Sequence, residues 1–444
     1  MSQQTSKSRI APTVLVAVVA TVLALVAAGW QPAQAAPKGT VQPAKAAAAW
    51  SPYLGVTFNN PNGTSEQQAR IVRRVNEAID HTPAGETIRI ATYNLAVTAT
   101  ADKLLAAHKR GVKVQVIVNS NLLGNLERRM QGRLGTNPYK SSFLVYCKNA
   151  CRNGSAYGNM HLKISSFTRT GTAKRLFISS SSNLGGAAMY GQWNDSVAIA
   201  GDVGLFSAWW NLFDELRKDQ TASPRRVTYV GDKIKAFYQR PVAGSTTTTE
   251  NRVATTRAAV GDAPYVRLSK VSCNAPAGFG NSSGKTVITV NMRAWYAARG
   301  ERLAKLLALR KSYGCQVRVI GSLMSKEVVG ILTRAKIPVK AADWDWGPRP
   351  STSDADVEVY GPSCYSHLKY VTVSGAYNGH GDRLVWTGSE NWSPPGLSSD
   401  EVTLEIHDAK TVKAYNDQFT AMWNSARVTH RVGIEPKYRP CARA

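Results

Sequence analysis

The stretch His161-Leu162-Lys163-Ile164-Ser165-Ser166-Phe167 decides the fold, because its head recurs as His367-Leu368-Lys369 at the start of a second apolar run. Each tripeptide opens a segment that reads as a strand, and each is followed by another strand ending in a polar turn with an asparagine. The turns are Ser180-Ser181-Ser182-Asn183 and Gly388-Ser389-Glu390-Asn391. An acid stands 34 positions after each histidine (Asp195 and Glu401), and an aspartate 7 positions later again (Asp202 and Asp408). Such a repeat implies one supersecondary plan used twice.

The flanking elements repeat as well. Thr64 and Ser65 offer a cap to a helix in which Ile71, Val72, Val75, Ala78 and Ile79 recur at helical spacing. Residues 87–95 alternate as a strand, 102–110 read as a helix stopped by Gly111, and 112–118 alternate again, a strand–helix–parallel strand unit. Strands over 161–167, 175–180 and 196–200 follow, and a helix over 202–218 carrying Trp209, Trp210 and Phe213 closes the half. Residues 242–261, with four threonines at 246–249, show no hydrophobic period. The order then restarts: strand 285–292, helix 300–311, strand 315–320, helix 325–336, strands 367–373, 383–387 and 402–406, and a closing helix over 408–423. The expected fold is α/β and duplicated, two similar halves with mixed sheets packed around a pseudo-two-fold axis. The expected boundaries are a signal peptide at 1–35, a flexible leader at 36–52, halves at 53–241 and 263–444, and a linker at 242–262.

At 444 residues the chain is long enough for two good cores. Lys7 and Arg9 precede an apolar run from Thr13 to about Ala28, and Ala33-Gln34-Ala35 offers a small-x-small cleavage site, so a secreted, extracellular protein is expected, with a retained membrane anchor as the rival reading of a run near the lower limit for a spanning helix. No other stretch is apolar enough to span a bilayer. The six cysteines, Cys147, Cys151, Cys273, Cys315, Cys364 and Cys441, all follow this segment, which argues for disulfides. Cys147 and Cys151 are close enough to close a small loop, but the pairing of six cysteines stays open. Zinc is disfavoured, since no pair of histidines or cysteines has the C-x-x-C or H-x-x-x-H spacing that zinc sites favour. The formal charge of +26 becomes +24 once Lys7 and Arg9 are removed. That excess attracts polyanions such as nucleic acid and anionic membrane surfaces.

A phosphodiester cleaved without a metal needs a nucleophile at phosphorus, an acid for the leaving alkoxide, and groups that hold the charge on the non-bridging oxygens. The first two act on opposite sides of phosphorus, so two facing histidines suit them. On a strand, residues i and i+2 share a face, so His161 projects with Lys163 and His367 with Lys369 toward one phosphate. Asn183 and Asn391 have amide hydrogens for its oxygens, and Ser181 and Ser389 add hydroxyls. Asp195 and Glu401 are expected to accept from the far ring nitrogens and fix the tautomers. His81, His108, His380, His407 and His430 lack partners at repeating spacing and are read as surface or core. The segment 343–356, with Trp344 and Trp346, is read as a loop, either over the site or on the plain surface. Trp392 is a candidate pocket wall.

These residues resemble the phospholipase D superfamily, marked by a duplicated H-x-K-x4-D followed by a G-S/G-x-N turn, and the resemblance covers about residues 65–425. It implies a metal-independent phosphodiesterase with no cofactor, in which one histidine becomes phosphorylated and the other protonates the leaving group. By analogy, His161 is the nucleophile and His367 the acid. Two departures stand out. Thr168 and Ser374 replace the motif aspartates, and Ser180 stands where the family prefers glycine. Activity is expected to survive, because both reacting histidines remain. The leading expectation is hydrolysis of a phospholipid to phosphatidic acid and head group, with possible transfer to an alcohol, by a monomer that touches anionic membrane peripherally. A secreted nuclease and a catalytically weak polyanion-binding protein are the alternatives.

Overall fold

The computed structural model describes residues 49–120, 124–152, 158–224, 226–239, 261–350 and 358–442. The expected signal peptide, most of the leader and nearly all of the linker lie outside the described residues. No described helix is long and apolar enough to cross a membrane.

The first half runs β1 (Gly55–Phe58), α1 (Ser65–Asp80), β2 (Thr87–Thr92), α2 (Thr98–Lys109), β3 (Lys113–Asn119), α3 (Asn125–Leu134), β4 (Phe143–Cys147), β5 (Lys163–Thr170), β6 (Ala173–Ser180), α4 (Gly186–Tyr190), β7 (Gln192–Trp193), β8 (Asp195–Ile199) and α5 (Val203–Leu216). Thr64 caps α1 in a box with Gln67, and the Asp202 carboxylate accepts from the Leu205 amide to cap α5. The strand order is β1-β8-β6-β5-β2-β3-β4, parallel across β2, β3 and β4 and antiparallel elsewhere.

The chain continues through β9 (Arg226–Val230), β10 (Ile234–Gln239), α6 (Ala263–Ser269), β11 (Val271–Ser272), β12 (Val287–Trp295), α7 (Ala297–Ser312), β13 (Gln316–Met324), α8 (Lys326–Arg334) and β14 (Val339–Ala341). Next come β15 (Asp343–Pro350), β16 (Glu358–Ser366), β17 (Lys369–Tyr377), β18 (His380–Gly388), α9 (Pro395–Ser398), β19 (Glu401–Ile406), α10 (Ala409–Asn424) and β20 (His430–Arg431). Asp408 caps α10 as Asp202 caps α5. The second sheet reads β10-β19-β18-β17-β12-β13-β14, the order of the first with β10 in the place of β1. The hairpin β9–β10 therefore belongs to the second sheet, although it precedes the expected boundary at 241. An edge strand goes wherever its ladder is completed, and β10 pairs along its length with β19.

Both sheets bury both faces, which is why residues on either side of their central strands, polar ones included, are mostly buried. α1, α2 and α3 cover the outer face of the first sheet. α6, α7 and α8 cover that of the second. Between the sheets, Trp209, Phe213, Tyr415 and Phe419 from the two closing helices join Ile164, Phe177, Tyr370, Val385 and Leu404 in one shared core. Each such side chain contributes about 1.5–3 kcal/mol by burial, so the halves are held as one body. A small sheet, β15-β16-β7, adds a second join, because β7 of the first half pairs with β16 of the second.

The disulfides are Cys147–Cys151, Cys273–Cys315 and Cys364–Cys441. The expected loop over 343–356 is corrected in part: 343–350 is strand β15, and 351–356 lies outside the described residues. Pairing with β16 supplies the ladder that its Pro- and Asp-rich composition hid.

Candidate active site

The two tripeptides meet where the halves abut, and each histidine is anchored by the opposite half. The His161 amide donates to the Asp400 carbonyl (3.1 Å), and the His367 amide to the Trp193 carbonyl (2.9 Å). The side chains cross in the same way. His161 Nδ1 lies 2.9 and 3.0 Å from the two Glu401 carboxylate oxygens, while His367 Nδ1 lies 2.9 Å from Asn194 Oδ1. With both Nδ1 atoms held, both Nε2 atoms are left for chemistry. Both rings line one cavity of about 300 Å³ together with Asn183, Asn391, Arg293 and Tyr365.

The crossing corrects two expectations. Asp195 does not support a histidine: its Oδ2 accepts from Thr387 Oγ1 (2.5 Å) and Tyr415 OH (2.6 Å) across the interface core. Its neighbour Asn194 takes the role, since side chains of consecutive strand residues point to opposite faces. Ser181 and Ser389 do not face a phosphate either. Both are fully buried. Ser181 Oγ donates to Asn194 Oδ1 (3.2 Å), and Ser389 Oγ donates to a Glu401 carboxylate oxygen. The serine of each turn therefore braces the acceptor that its own half presents to the other half's histidine.

The turns themselves are held by different means. Gly388 has φ +155°, and a Cβ there would sit 2.1 Å from the Val402 carbonyl oxygen, so the second turn needs glycine. In the first turn Ser180 uses its hydroxyl instead, donating to the Asp195 carbonyl (2.5 Å) and accepting from the Ser182 amide (2.8 Å). Arg299, wholly buried, donates to the Asn391 and Ser393 carbonyls (2.7 and 3.0 Å) while paired with Asp262 and Glu390. Asn183 and Asn391 both reach the cavity, and the side-chain oxygen of each has no partner among the described residues. At the lost motif aspartate, Thr168 Oγ1 accepts from the Thr87 amide (2.8 Å) and donates to Glu86 (2.6 Å), tying β5 to β2.

The lysines are placed differently from the expected pair of phosphate contacts. Lys163 Nζ donates to the His161 carbonyl (2.6 Å) and Lys369 Nζ to the His367 carbonyl (2.5 Å), and neither lines the cavity. Each ammonium sits behind its histidine and acts on the site through its field. Burial, with opposition from Glu401 and reinforcement from Arg293, pushes Lys163 down to about 7. Burial and the charges of Arg293 and Lys163 push Lys369 well below its usual value too. Both histidines fall well below their usual value, first through burial and then through Lys163, Lys369 and Arg293. Burial raises the Glu401 carboxyl to about 7 against the pull of Lys163, Ser389 and Lys369. The cavity is thus ringed by basic groups that burial and one another's charge hold toward their neutral forms.

Arg293 is the main residue that the motif search missed. It follows Met292 in β12 as Tyr93 follows Thr92 after β2, and each amide donates to the leucine carbonyl of a tripeptide. The two halves thus offer a guanidinium on one side and a phenol on the other. Arg293 lies over the Tyr365 ring (5.4 Å), and its guanidinium has no hydrogen bond or ion pair among the described residues. Its signal was a lone arginine after an apolar strand, at the end that also carries the histidines. Asp400, the counterpart of Asn194, was missed too. Burial raises its carboxyl to about 7 against the charge of Arg152 and the amides of Cys151 and Arg152.

Other candidates are structural. Trp392 is buried against Trp295 (4.6 Å) and does not line the cavity. Trp344 packs on His430, and Trp346 on Tyr360, away from the site. His407 pairs with Asp382 and Glu405, and His430 with Asp343.

Residues 76–217 and 282–423 each match one family model, described as "Cardiolipin synthase, PLD-like domain". The matches are offset by 206 residues (282 − 76), as are the two histidines (367 − 161). No curated protein matches by sequence. Among solved structures, phosphatidylserine synthase of Haemophilus influenzae superposes with a TM-score of 0.51 at 12% identity, over 85% of this chain and 87% of that one. Polyphosphate kinase of Porphyromonas gingivalis gives 0.49 at 14% identity over 87% of this chain, which spans 53% of that protein. A phospholipase D family member, Nuc from Salmonella typhimurium, gives 0.26 at 21% identity, over 36% and 91% of the two chains.

Proposed function

Because the chain belongs to the family of the cardiolipin synthase PLD-like domain, matched twice over more than half its length, we propose that it is an exported phospholipase D-type phosphodiesterase. It takes a phospholipid to phosphatidic acid and free head group, and water or a second alcohol accepts the phosphatidyl group. The observation that carries this reading is the crossed pair of histidines, one backed by a carboxylate and the other by an amide, in one cavity ringed by basic groups.

The asymmetry supports a division of roles. When His161 Nε2 attacks phosphorus, an N–P bond forms, the P–O bond to the head group breaks, and the imidazole gains positive charge. Glu401, at Nδ1, compensates that charge; Asn194 offers His367 only a neutral oxygen. His367 gives its Nε2 proton to the departing oxygen. Burial, then the charges of Lys369, Arg293 and Lys163, hold His367 deprotonated, and a bound phosphate anion offsets the part due to those charges. In the second step His367 takes a proton from water, the water oxygen attacks phosphorus, and the N–P bond breaks to restore His161. Asn183, Asn391 and Arg293 hold the non-bridging oxygens. Three disulfides support an oxidising, extracytoplasmic location.

A nuclease of the same superfamily is the second reading, favoured by the charge of +24 after removal of Lys7 and Arg9. The test is incubation with phosphatidylcholine and, separately, with plasmid DNA, both in excess chelator. Choline release is expected; degradation of DNA alone would overturn the lipid reading. If neither is cleaved and no labelled phosphate attaches to histidine, the enzyme reading fails altogether.

A further inference from the structure

A second basic cavity, of about 250 Å³, shares no lining residue with the active site. It lies at the β9–β10 edge of the second sheet and is walled by Arg226, Lys235, Arg267, Lys270, Phe237 and Glu405.

Arg267, on α6, is the unusual member. Only 7% of it is exposed, its guanidinium stacks over the Phe237 ring at 4.3 Å, and it has no hydrogen bond or ion pair among the described residues. A buried guanidinium without a partner is costly, so nearly all such groups in folded proteins are paired.

The acid in the cavity does not fill that need. Glu405 Oε1 already accepts from Lys235 Nζ (2.7 Å) and His407 Nε2 (2.9 Å), and Oε2 from Trp386 Nε1 (2.8 Å) and Tyr377 OH (3.3 Å). Burial opposes its ionisation, yet the bonds from His407, Lys235 and Trp386 prevail and hold its carboxyl far below the usual range. Glu405 is thus matched by its own partners. Arg226, which donates to the Gly261 carbonyl (3.0 Å), Arg267, which feels the charges of Glu390 and Glu405 without bonding to either, and the exposed Lys270 converge on one concavity.

We propose that this cavity binds a phosphate group, at a site separate from the active site. Three cations of different reach suit a tetrahedral anion with several charged oxygens better than a single carboxylate. The volume is just under the range of about 300–1,000 Å³ typical of small-molecule pockets, which suits a head group or free phosphate rather than a whole lipid. The two sources share this chemistry and are separated by experiment.

The test compares wild type with Arg267→Gln and Lys270→Glu. Inorganic phosphate binding is followed by calorimetry, and vesicle binding by co-sedimentation with phosphatidylcholine alone or containing phosphatidic acid. Wild type is expected to bind two phosphates per chain. Arg267→Gln should weaken one of them by at least about tenfold, the loss of a charge-assisted contact, and leave the other unchanged. Lys270→Glu, at an exposed position, probes the same site without disturbing the core and should weaken the same event. If both variants also lose sedimentation with phosphatidic acid vesicles, lipid phosphate is the ligand. If they lose phosphate binding alone, the ligand is free phosphate. Two phosphate events unaffected by either substitution, or a single event in wild type that both leave intact, overturn the proposal. The outcome does not depend on which phosphodiester the active site cleaves.

Discussion

Glu401→Gln is the sharpest perturbation of the crossed site. Glutamine keeps the shape and one acceptor oxygen but removes the charge facing His161 Nδ1 at 2.9 and 3.0 Å. A hydrogen bond to a charged group contributes about 1.5–3 kcal/mol and a neutral one about 0.5–1.5, so the exchange costs about 1–2 kcal/mol. At about 1.4 kcal/mol per decade, kcat/KM should fall about 5- to 30-fold at pH 8. The loss must also depend on pH. The wild-type carboxyl titrates near 7: above that it is ionised and accepts from Nδ1, and below it is protonated and does not. Wild-type kcat/KM therefore declines as pH falls through about 7, whereas the Gln variant has no such limb, and the two converge toward pH 5.5. The His161 proton does not mimic this limb, because its own titration lies well below the usual histidine range. Initial rates on bis(4-nitrophenyl) phosphate from pH 5.5 to 8.5 give both quantities. A variant within twofold of wild type at pH 8, or one that keeps the full limb near 7, would refute the assignment of Glu401.

Arg293→Gln should raise KM about 10- to 100-fold with little change in melting temperature, since its guanidinium bonds to no protein group that its loss would leave stranded. Asp400→Asn, which copies Asn194 from the first half, should stabilise the fold by at least about 1 kcal/mol at pH 8. The sign follows from its folded carboxyl titrating near 7, above the unfolded value of 3.8. The stability it contributes is full below about pH 4 and is lost as pH rises through 7. Thermal melts at pH 5 and pH 8 should therefore show the variant's advantage growing with pH, and an advantage confined to pH 5 would contradict this. Replacing Cys364 and Cys441 by serine opens a link spanning 77 positions and should lower stability by about 2–4 kcal/mol in urea titrations; an unchanged midpoint would count against the pairing.

The duplicated order of strands and helices was legible because it rests on local physics. Alternation marks the strands, a side-chain oxygen three residues before an amide marks the start of the first helix and of the two closing helices, and glycine marks the sharp turn at Gly388. Asp202 and Asp408 could be read as caps from spacing alone, since a cap is satisfied within its own turn. The two histidines and the two asparagines were legible for a related reason: polar residues at the ends of apolar strands stand out wherever the sheet is buried. Asp195 misled because it shares its spacing with Glu401 while its carboxylate is used up on Thr387 and Tyr415, residues about 200 positions away.

By itself, then, the amino-acid order determined the twofold α/β plan, the helix ends, and which histidines face each other. Only the tertiary structure decided what each histidine leans on. His161 and Glu401 are 240 positions apart, and His367 and Asn194 173, so their pairing is set by how the two sheets close on the shared core. The same closure turned Ser181 and Ser389 inward as braces, put the hairpin β9–β10 on the second sheet, and brought Arg293 into the cavity. Spacing along the chain records local geometry; contacts made across an interface leave no period to read.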